Sequence, residues 1–107
     1  MNEAETRAEL IDPKLELSGW KTDVEKGVRV RREYLIKPGE IRSSGQRHGK
    51  LSADYILEYK NIKLAVLEAK SNDHEVNEGV AQAKLYAQKL QLNICFASNG
   101  KEIYEID

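Results

Sequence analysis

The sequence is poor in the residues that define several common classes of protein. It contains one cysteine, two prolines, one tryptophan and one phenylalanine among 107 residues. A single cysteine, Cys95, excludes an internal disulfide, and its apolar neighbours predict a buried thiol in a reducing compartment. No apolar run approaches the ~20 residues of a membrane span, and the acidic N-terminus is unlike a signal peptide. We therefore expect a cytoplasmic protein without a membrane anchor.

The composition that is present indicates a folded domain. Apolar residues make up 40% of the chain and charged residues 33%, which is typical of a globular protein rather than a disordered one. The net charge of −1 conceals an uneven distribution, because residues 26–50 hold eight basic residues and two acidic ones. A basic segment ahead of acidic strands suits a polyanion that is held by one region and cut by another. A solvated strand and loop without a ligand would give the same charge pattern.

Hydrophobic periodicity predicts secondary structure in the order α-β-β-β-α-β-β. The elements are a helix at 3–18, a strand at 28–36, two strands within 51–70, a helix at 74–91, and strands at 93–97 and 102–106. Asn2 is the expected cap of the first helix, and Pro13 should kink or restart it, with Asp12 capping its second part. In the first strand, Val30 and Tyr34 should share the apolar face. The expected fold is α/β, with a mixed central sheet flanked by helices in one domain.

The stretch from Leu51 to Lys70 is predicted to form two apolar strands joined by a polar turn, and each strand carries an acid. Asp54 lies within the first strand, and Glu68 lies near the end of the second, two residues before Lys70. Acids beside runs of Ile, Leu and Val are costly unless they are paired or bound to a metal. An Asp on one strand and a Glu-x-Lys at the end of the next therefore predict a site for a hard divalent cation.

The two acids can act together only if they point to the same face of the hairpin. Directly opposed residues of an antiparallel pair have numbers of constant sum, and a two-residue turn at Lys60-Asn61 makes that sum 121. That register places Asp54 opposite Leu67 and sends Glu68 to the other face. A shared site therefore requires an even sum, such as 122, and with it an odd loop or a β-bulge.

Three segments resemble the PD-(D/E)XK nuclease superfamily, and more narrowly the N-terminal nuclease domain of type I restriction endonuclease R (HsdR) subunits. They are Ala53-Asp54-Tyr55-Ile56-Leu57, Leu64-Ala65-Val66-Leu67-Glu68-Ala69-Lys70 and Gln82-Ala83-Lys84-Leu85-Tyr86-Ala87. Weaker matches in the same order extend the resemblance over nearly the whole chain. The Gln-x-x-x-Tyr pattern of the last segment is shared with RecB-like nucleases. Ala53 stands where the superfamily name has Pro.

The resemblance implies a restriction-endonuclease-like core and Mg²⁺-dependent cleavage of DNA. Asp54 and Glu68 would bind the metal, helped by the backbone carbonyl of Ala69, and Mn²⁺ would substitute for Mg²⁺. Lys70 would orient or activate the attacking water. Gln82 and Tyr86 share one helix face by their i, i+4 spacing, and they would contact DNA phosphate or steady Lys70.

Some assignments stay open at the level of the sequence. Superfamily members often add an acid from the first helix, but helix phase does not choose between Glu5 and Glu9. Arg47 and Lys50 precede the strand of Asp54 and could touch the DNA backbone, in a salt-sensitive contact without base readout. The number of metal ions, one or two, is not decided either.

The resemblance also implies partners for the chain. Double-stranded DNA is the expected substrate, and the parent subunit would assemble with methyltransferase and specificity subunits. Because the chain has no Walker A pattern, ATP would be used elsewhere in a longer restriction/translocase subunit, of which residues 1–107 would be a fragment. The alternatives are a stand-alone RecB-like nuclease or resolvase, and a catalytically silent DNA-binding or docking module of the same fold.

Overall fold

The computed structural model describes residues 2–36 and 52–106, apart from the side chain of Glu78. Its helices and strands are α1 (Glu3–Thr6), a π-helical segment (Arg7–Ile11), α2 (Asp12–Leu17), β1 (Val28–Leu35), β2 (Ser52–Tyr59), β3 (Ile62–Ala69), a 3₁₀ turn (Val76–Gly79), α3 (Val80–Leu90), β4 (Ile94–Ser98) and β5 (Ile103–Ile106). The strands form one sheet in the order β1-β2-β3-β4-β5, in which β3 and β4 are parallel and the other pairs antiparallel. The predicted α/β fold with a mixed sheet is confirmed.

The sheet carries an apolar cluster on each face. The α3 cluster comprises Ile36, Ala53, Ile56, Val66, Ala83, Tyr86, Ala87 and Cys95. The Ile11 cluster, beneath the first helix, comprises Ile11, Tyr55, Leu67 and Ala69. Cys95 is buried, as predicted. Within the described ranges, none of the helices has the length and hydrophobicity needed to span a membrane.

The first helix begins at Glu3 and is capped by Asn2, as predicted. The Asn2 side chain accepts a hydrogen bond from the N–H of Glu5, and the Glu5 carboxylate accepts one from the N–H of Asn2. These reciprocal bonds form a capping box, which satisfies two otherwise unpaired donors. The buried hydroxyl of Thr6 accepts a hydrogen bond from the N–H of Asn72 and so ties the helix to the segment after β3.

Pro13 does not end the first helix. The turn before it widens into the π-helical segment, in which the N–H of Asp12 bonds to the carbonyl of Arg7, five residues earlier. The predicted cap by Asp12 is wrong, because α2 has no side-chain cap. The Asp12 carboxylate instead accepts hydrogen bonds from Arg32 and from the hydroxyl of Tyr55.

β1 changes face at Glu33. Val30 packs against the Ile11 cluster, whereas Tyr34 packs against the α3 cluster, so the predicted common face of these two residues is wrong. The cause is local, because Glu33 has a φ of +50°, which lies in the left-handed region and is uncommon for residues other than glycine. The pairs on either side of Glu33 continue one register, which places Glu33 across from Asp54.

β2 and β3 pair through the irregular register that a shared site requires. Next to the Lys60-Asn61 turn, the numbers of paired residues sum to 121, as in Glu58 with Lys63. Beyond a register shift at Leu57/Glu58 the sum becomes 122, as in Tyr55 with Leu67. Asp54 therefore lies directly across from Glu68, and the predicted bulge is confirmed.

The second helix starts later than the sequence pattern predicts. α3 begins at Val80 after the 3₁₀ turn, so a helical start at His74 is wrong. The carbonyl of His74 accepts a hydrogen bond from the side chain of Asn99 and serves the contact with the β4–β5 turn instead. Gly79 brings the turn close to the sheet, since a Cβ there would lie 3.4 Å from the Cγ of Lys70.

Candidate active site

Asp54 and Glu68 face each other across β2 and β3, and the main chain orients both carboxylates. The N–H of Asp54 donates to Oε2 of Glu68 at 2.9 Å, and the N–H of Ala69 donates to Oδ2 of Asp54 at 2.8 Å. These bonds use one oxygen of each carboxylate. The structure therefore brings together the two acids that the sequence predicted to share a site.

The negative charges of the two carboxylates repel each other. Glu68 is only 4% exposed. Burial first, and then the charge of Asp54, raise the pKa of Glu68 to about 8. Two acids in this arrangement hold a proton between them or bind a cation, because two adjacent buried charges without compensation are unfavourable.

A third acid, Glu3, reaches the pair from α1. Partial burial, followed by the charge of Asp54 and a hydrogen bond with its carboxyl group, raises the pKa of Glu3. The charges of Arg7 and Lys70 act in the opposite direction and lower it. These effects place Glu3 near two acids and two cations of the same cluster.

Glu3 is the acid that sequence reasoning missed. Of the two candidates left open, Glu5 accepts a hydrogen bond from the N–H of Asn2, and Glu9 lies farther along the chain, in the π-helical segment. The signal for Glu3 was its spacing from Arg7, because residues i and i+4 of a helix lie on one face. That signal was too common to identify a site without the position of the helix.

Arg7 is a second residue that the sequence did not single out. One terminal nitrogen, Nη2, bonds Oε2 of Glu33 at 3.0 Å. The other, Nη1, lies 3.6 Å from Oδ1 of Asp54. The guanidinium thus stands between an exposed acid on β1 and a carboxylate of the pair.

Ala69 is the last residue of β3, and Lys70 follows it at the edge of the site. The N–H of Lys70 bonds the carbonyl of Ser98 on β4 at 2.8 Å, and the stem of Lys70 packs beneath Gly79. Because the N–H of Ala69 holds Asp54, the main chain of Ala69 belongs to the site. The role of its carbonyl as a metal ligand stays a prediction.

Gln82 and Tyr86 lie on one face of α3, as predicted. Nε2 of Gln82 donates to the Tyr86 hydroxyl at 2.9 Å, and Tyr86 is 2% exposed. Burial raises the pKa of Tyr86, and the charges of Glu68 and Asp54 add to this rise. The Tyr86 hydroxyl therefore lies close enough for the charges of the carboxylate pair to affect its pKa. Helix α3 covers the site from this side.

The donor set fits a small, hard divalent cation. Mg²⁺ binds oxygen ligands, commonly one or two carboxylates, and keeps several waters. Among residues 2–36 and 52–106, no group of three or more His, Cys, Asp and Glu side chains is placed to hold a metal ion. The site is an open carboxylate pair rather than a closed structural centre. The predicted DNA contacts Arg47 and Lys50 lie outside the described residues.

Comparison with known proteins shows which proteins this chain is similar to. No protein-family model matches it. It is 33% identical, over 104 residues, to the endonuclease subunit of the type I restriction enzyme EcoAI from Escherichia coli, covering 94% of this chain and 12% of that subunit. A solved fragment assigned to an HsdR subunit of a type I restriction enzyme from Vibrio vulnificus matches 100% of this chain and 21% of its own, with a TM-score of 0.84 and 35% identity. The chain is therefore homologous to a small part of the HsdR endonuclease subunits of type I restriction enzymes.

Proposed function

We propose that this chain is a nuclease module of a type I restriction enzyme R subunit and hydrolyses phosphodiester bonds of double-stranded DNA with Mg²⁺. The observation that carries the proposal is the irregular register that sets Asp54 directly across from Glu68. Lys70, which comes directly after β3, completes the Glu-x-Lys pattern of PD-(D/E)XK nucleases. Two relatives named as endonuclease or HsdR subunits support the same activity.

The residues of the site have distinct roles in this proposal. Asp54 and Glu68 hold the cation together with the carbonyl of Ala69, and Glu3 is the acid contributed by the first helix. When bound, Mg²⁺ polarises the phosphodiester and lowers the pKa of its water, and Mn²⁺ supplies the same chemistry. Lys70 orients the attacking water and offsets the charge that develops on the phosphate.

Gln82 and Tyr86 form the wall of the site on the α3 side. Their hydrogen bond fixes the position of the Tyr86 hydroxyl. From there Tyr86 contacts a phosphate oxygen or steadies the ammonium group of Lys70. In the longer subunit, an ATP-driven translocase would deliver DNA to this module, and the methyltransferase and specificity subunits would assemble with that subunit.

Metal binding and cleavage by two single-residue variants test the proposal. Isothermal titration with Mn²⁺ should show binding by the wild-type chain, and Asp54→Asn should weaken it at least about tenfold. Asp23→Asn, which removes an equivalent charge in the turn before β1, should bind as the wild type does. In Mn²⁺, nicking of supercoiled plasmid should be lost in Asp54→Asn.

Two results would contradict the proposal. Mn²⁺ binding and nicking that survive Asp54→Asn unchanged would place any metal elsewhere. A folded wild-type chain that binds no Mn²⁺ at millimolar concentration would favour the catalytically silent docking module.

A further inference from the structure

Glu33 holds Arg7 in an unusual position beside the carboxylate pair. The Nη2–Oε2 distance to Glu33 is 3.0 Å, whereas Nη1 lies 3.6 Å from Oδ1 of Asp54. The longer separation exceeds a normal hydrogen bond, so Nη1 forms an ion pair with Asp54 but no hydrogen bond to it. The Arg7 side chain is 20% exposed and the Asp54 side chain 17%. One edge of the guanidinium is thus anchored, and the other faces a partly open site.

The anchor itself is conformationally costly. Glu33 has a φ of +50° in the interior of β1, directly across from Asp54. A residue other than glycine in this region is strained and persists only where its surroundings enforce it. The described contacts of the Glu33 side chain are with Arg7. The strained backbone therefore serves to aim this carboxylate at Arg7.

An anchored arginine suits a phosphate better than a lysine would. The guanidinium presents several N–H donors in a planar fork, which matches the oxygens of a phosphate. Glu3, Asp54 and Glu68 supply negative charge that a metal ion would neutralise only in part. A DNA phosphate entering this cluster therefore needs cations that are already in place, and Arg7 is one besides Lys70.

Glu33 also limits how closely Arg7 can approach Asp54. A carboxylate and a guanidinium without other partners form a close bidentate pair. Such a pair would occupy Asp54 and compete with a divalent cation for it. Because Nη2 is bound to Glu33, Arg7 stays at 3.6 Å and Oδ1 remains accessible to a metal.

We propose that Arg7 is a phosphate-binding residue of the nuclease site and that Glu33 is its positioning residue. The proposal rests on the proposed nuclease function. It assigns Arg7 to the substrate rather than to the metal, and it assigns Glu33 the task of keeping Arg7 off Asp54. The two residues should therefore affect metal binding and DNA binding in opposite ways.

The test measures Mn²⁺ binding by calorimetry and duplex binding in Ca²⁺ by fluorescence anisotropy, with the whole chain. Arg7→Met should bind Mn²⁺ as tightly as the wild type or more tightly, and should bind DNA about tenfold more weakly. Arg7→Lys should recover part of the DNA affinity. Lys21→Met removes a charge from an exposed lysine after α2 and is the matched control, with DNA affinity within about twofold of the wild type.

Glu33→Gln distinguishes positioning from general stabilisation. This variant should weaken Mn²⁺ binding several-fold, because Arg7 is released to pair with Asp54. The double variant Arg7→Met/Glu33→Gln should restore Mn²⁺ affinity to that of Arg7→Met. Damage to the fold would not be repaired by a second substitution, so this restoration is the signature of positioning.

Unchanged DNA affinity in a folded Arg7→Met would overturn the assignment of Arg7. If Arg7→Met does not fold, Arg7→Lys decides the question, because it keeps the charge but loses the fork, and wild-type DNA affinity there would also overturn it. Mn²⁺ binding by Glu33→Gln that equals the wild type would overturn the role of Glu33. Loss of Mn²⁺ binding in Asp54→Asn, with no effect of Arg7→Met, would leave the proposed function standing without this extension.

Discussion

Glu68 lies near the end of β3 between Leu67 and Ala69, with 4% of its surface exposed. An apolar side chain would suit packing at this position, because burial disfavours an ionised carboxylate. Another buried acid, Glu58, is compensated differently, by Arg31 at 3.0 Å and Lys63 at 3.9 Å. Glu68 accepts a hydrogen bond from the N–H of Asp54 instead, and within the described part of the chain no cation compensates it to the same degree. Burial and the negative charge of Asp54 raise its pKa to about 8. A residue arranged in this way destabilises the metal-free fold, and binding of a cation removes this destabilisation.

This pKa predicts how stability depends on pH. Since the pKa of Glu68 rises from 4.5 to about 8 on folding, the folded chain keeps a proton that the unfolded chain has lost over this range. The free energy of unfolding of the wild type should therefore fall, relative to Glu68→Gln, as pH rises from about 4.5 to 8, and should level off above that. Urea titrations of both proteins in chelator measure the difference. Mn²⁺ should then stabilise the wild type alone.

A difference in free energy that stays constant across this pH range would contradict the raised pKa of Glu68. Equal stabilisation of Glu68→Gln by Mn²⁺ would place the ion at another position.

At the scale of elements, the crossover from β3 to β4 passes directly over Lys70. A Cβ on Gly79 would lie 3.4 Å from the Cγ of Lys70, 3.4 Å from the Cβ of Ala97 and 3.9 Å from the Cβ of Glu68. These are ordinary contact distances, which leave room for one methyl group and little more. Gly79 has a φ of −91°, so its backbone would accept any residue. A small residue, glycine or alanine, is therefore needed for the close approach of the turn to the site.

Two substitutions at Gly79 separate contact from conformation. Gly79→Ala should fold and cleave DNA nearly as the wild type does. Gly79→Val should push Lys70 aside and lower the rate of Mn²⁺-dependent cleavage by about a hundredfold, because displacement of a catalytic group by about 1 Å has effects of this size. Plasmid nicking at saturating Mn²⁺ measures the rate, and calorimetry should show that Mn²⁺ binding is retained. Equal rates in the two variants would mean that Lys70 is not positioned by this turn.

At the scale of the whole molecule, the helical region at residues 3–17 contacts the turn between β4 and β5. Nζ of Lys14 donates to the carbonyl of Gly100 at 2.8 Å, and Leu10 packs against the same β4–β5 turn. The helix that carries Glu3 and Arg7 is thereby fixed against the sheet. The composition of the site therefore depends on a contact between residues 86 positions apart.

Two glycines with similar backbone conformations test this docking. Gly100 has a φ of +87°, and a Cβ there would lie 2.7 Å from Cδ1 and 2.9 Å from Cβ of Leu10. Gly19 has a φ of +93° with nothing within 4 Å. Gly19→Ala should cost about 1–2 kcal/mol of backbone strain, and Gly100→Ala should cost about 1–3 kcal/mol more because of the clash. Urea denaturation measures both, and equal costs would show that the helix does not pack closely on this turn.

The sequence by itself determined the features that depend on one element. The period of a strand placed Asp54 on β2 and Glu68 on β3, with Lys70 just after it, and the period of a helix placed Gln82 and Tyr86 on one face. Residue numbering alone showed that a shared site needs an odd loop or a bulge. These features follow from local geometry, which is the same in every helix and strand.

Only the tertiary structure decided which residues from different elements meet. It supplied the bulge at Leu57/Glu58, placed Glu3 near the carboxylate pair, and brought Arg7 between Glu33 and Asp54. It also turned β1 over at Glu33 and delayed the start of α3. Each of these depends on packing between segments far apart in the chain, and no repeat of period two or 3.6 records such contacts.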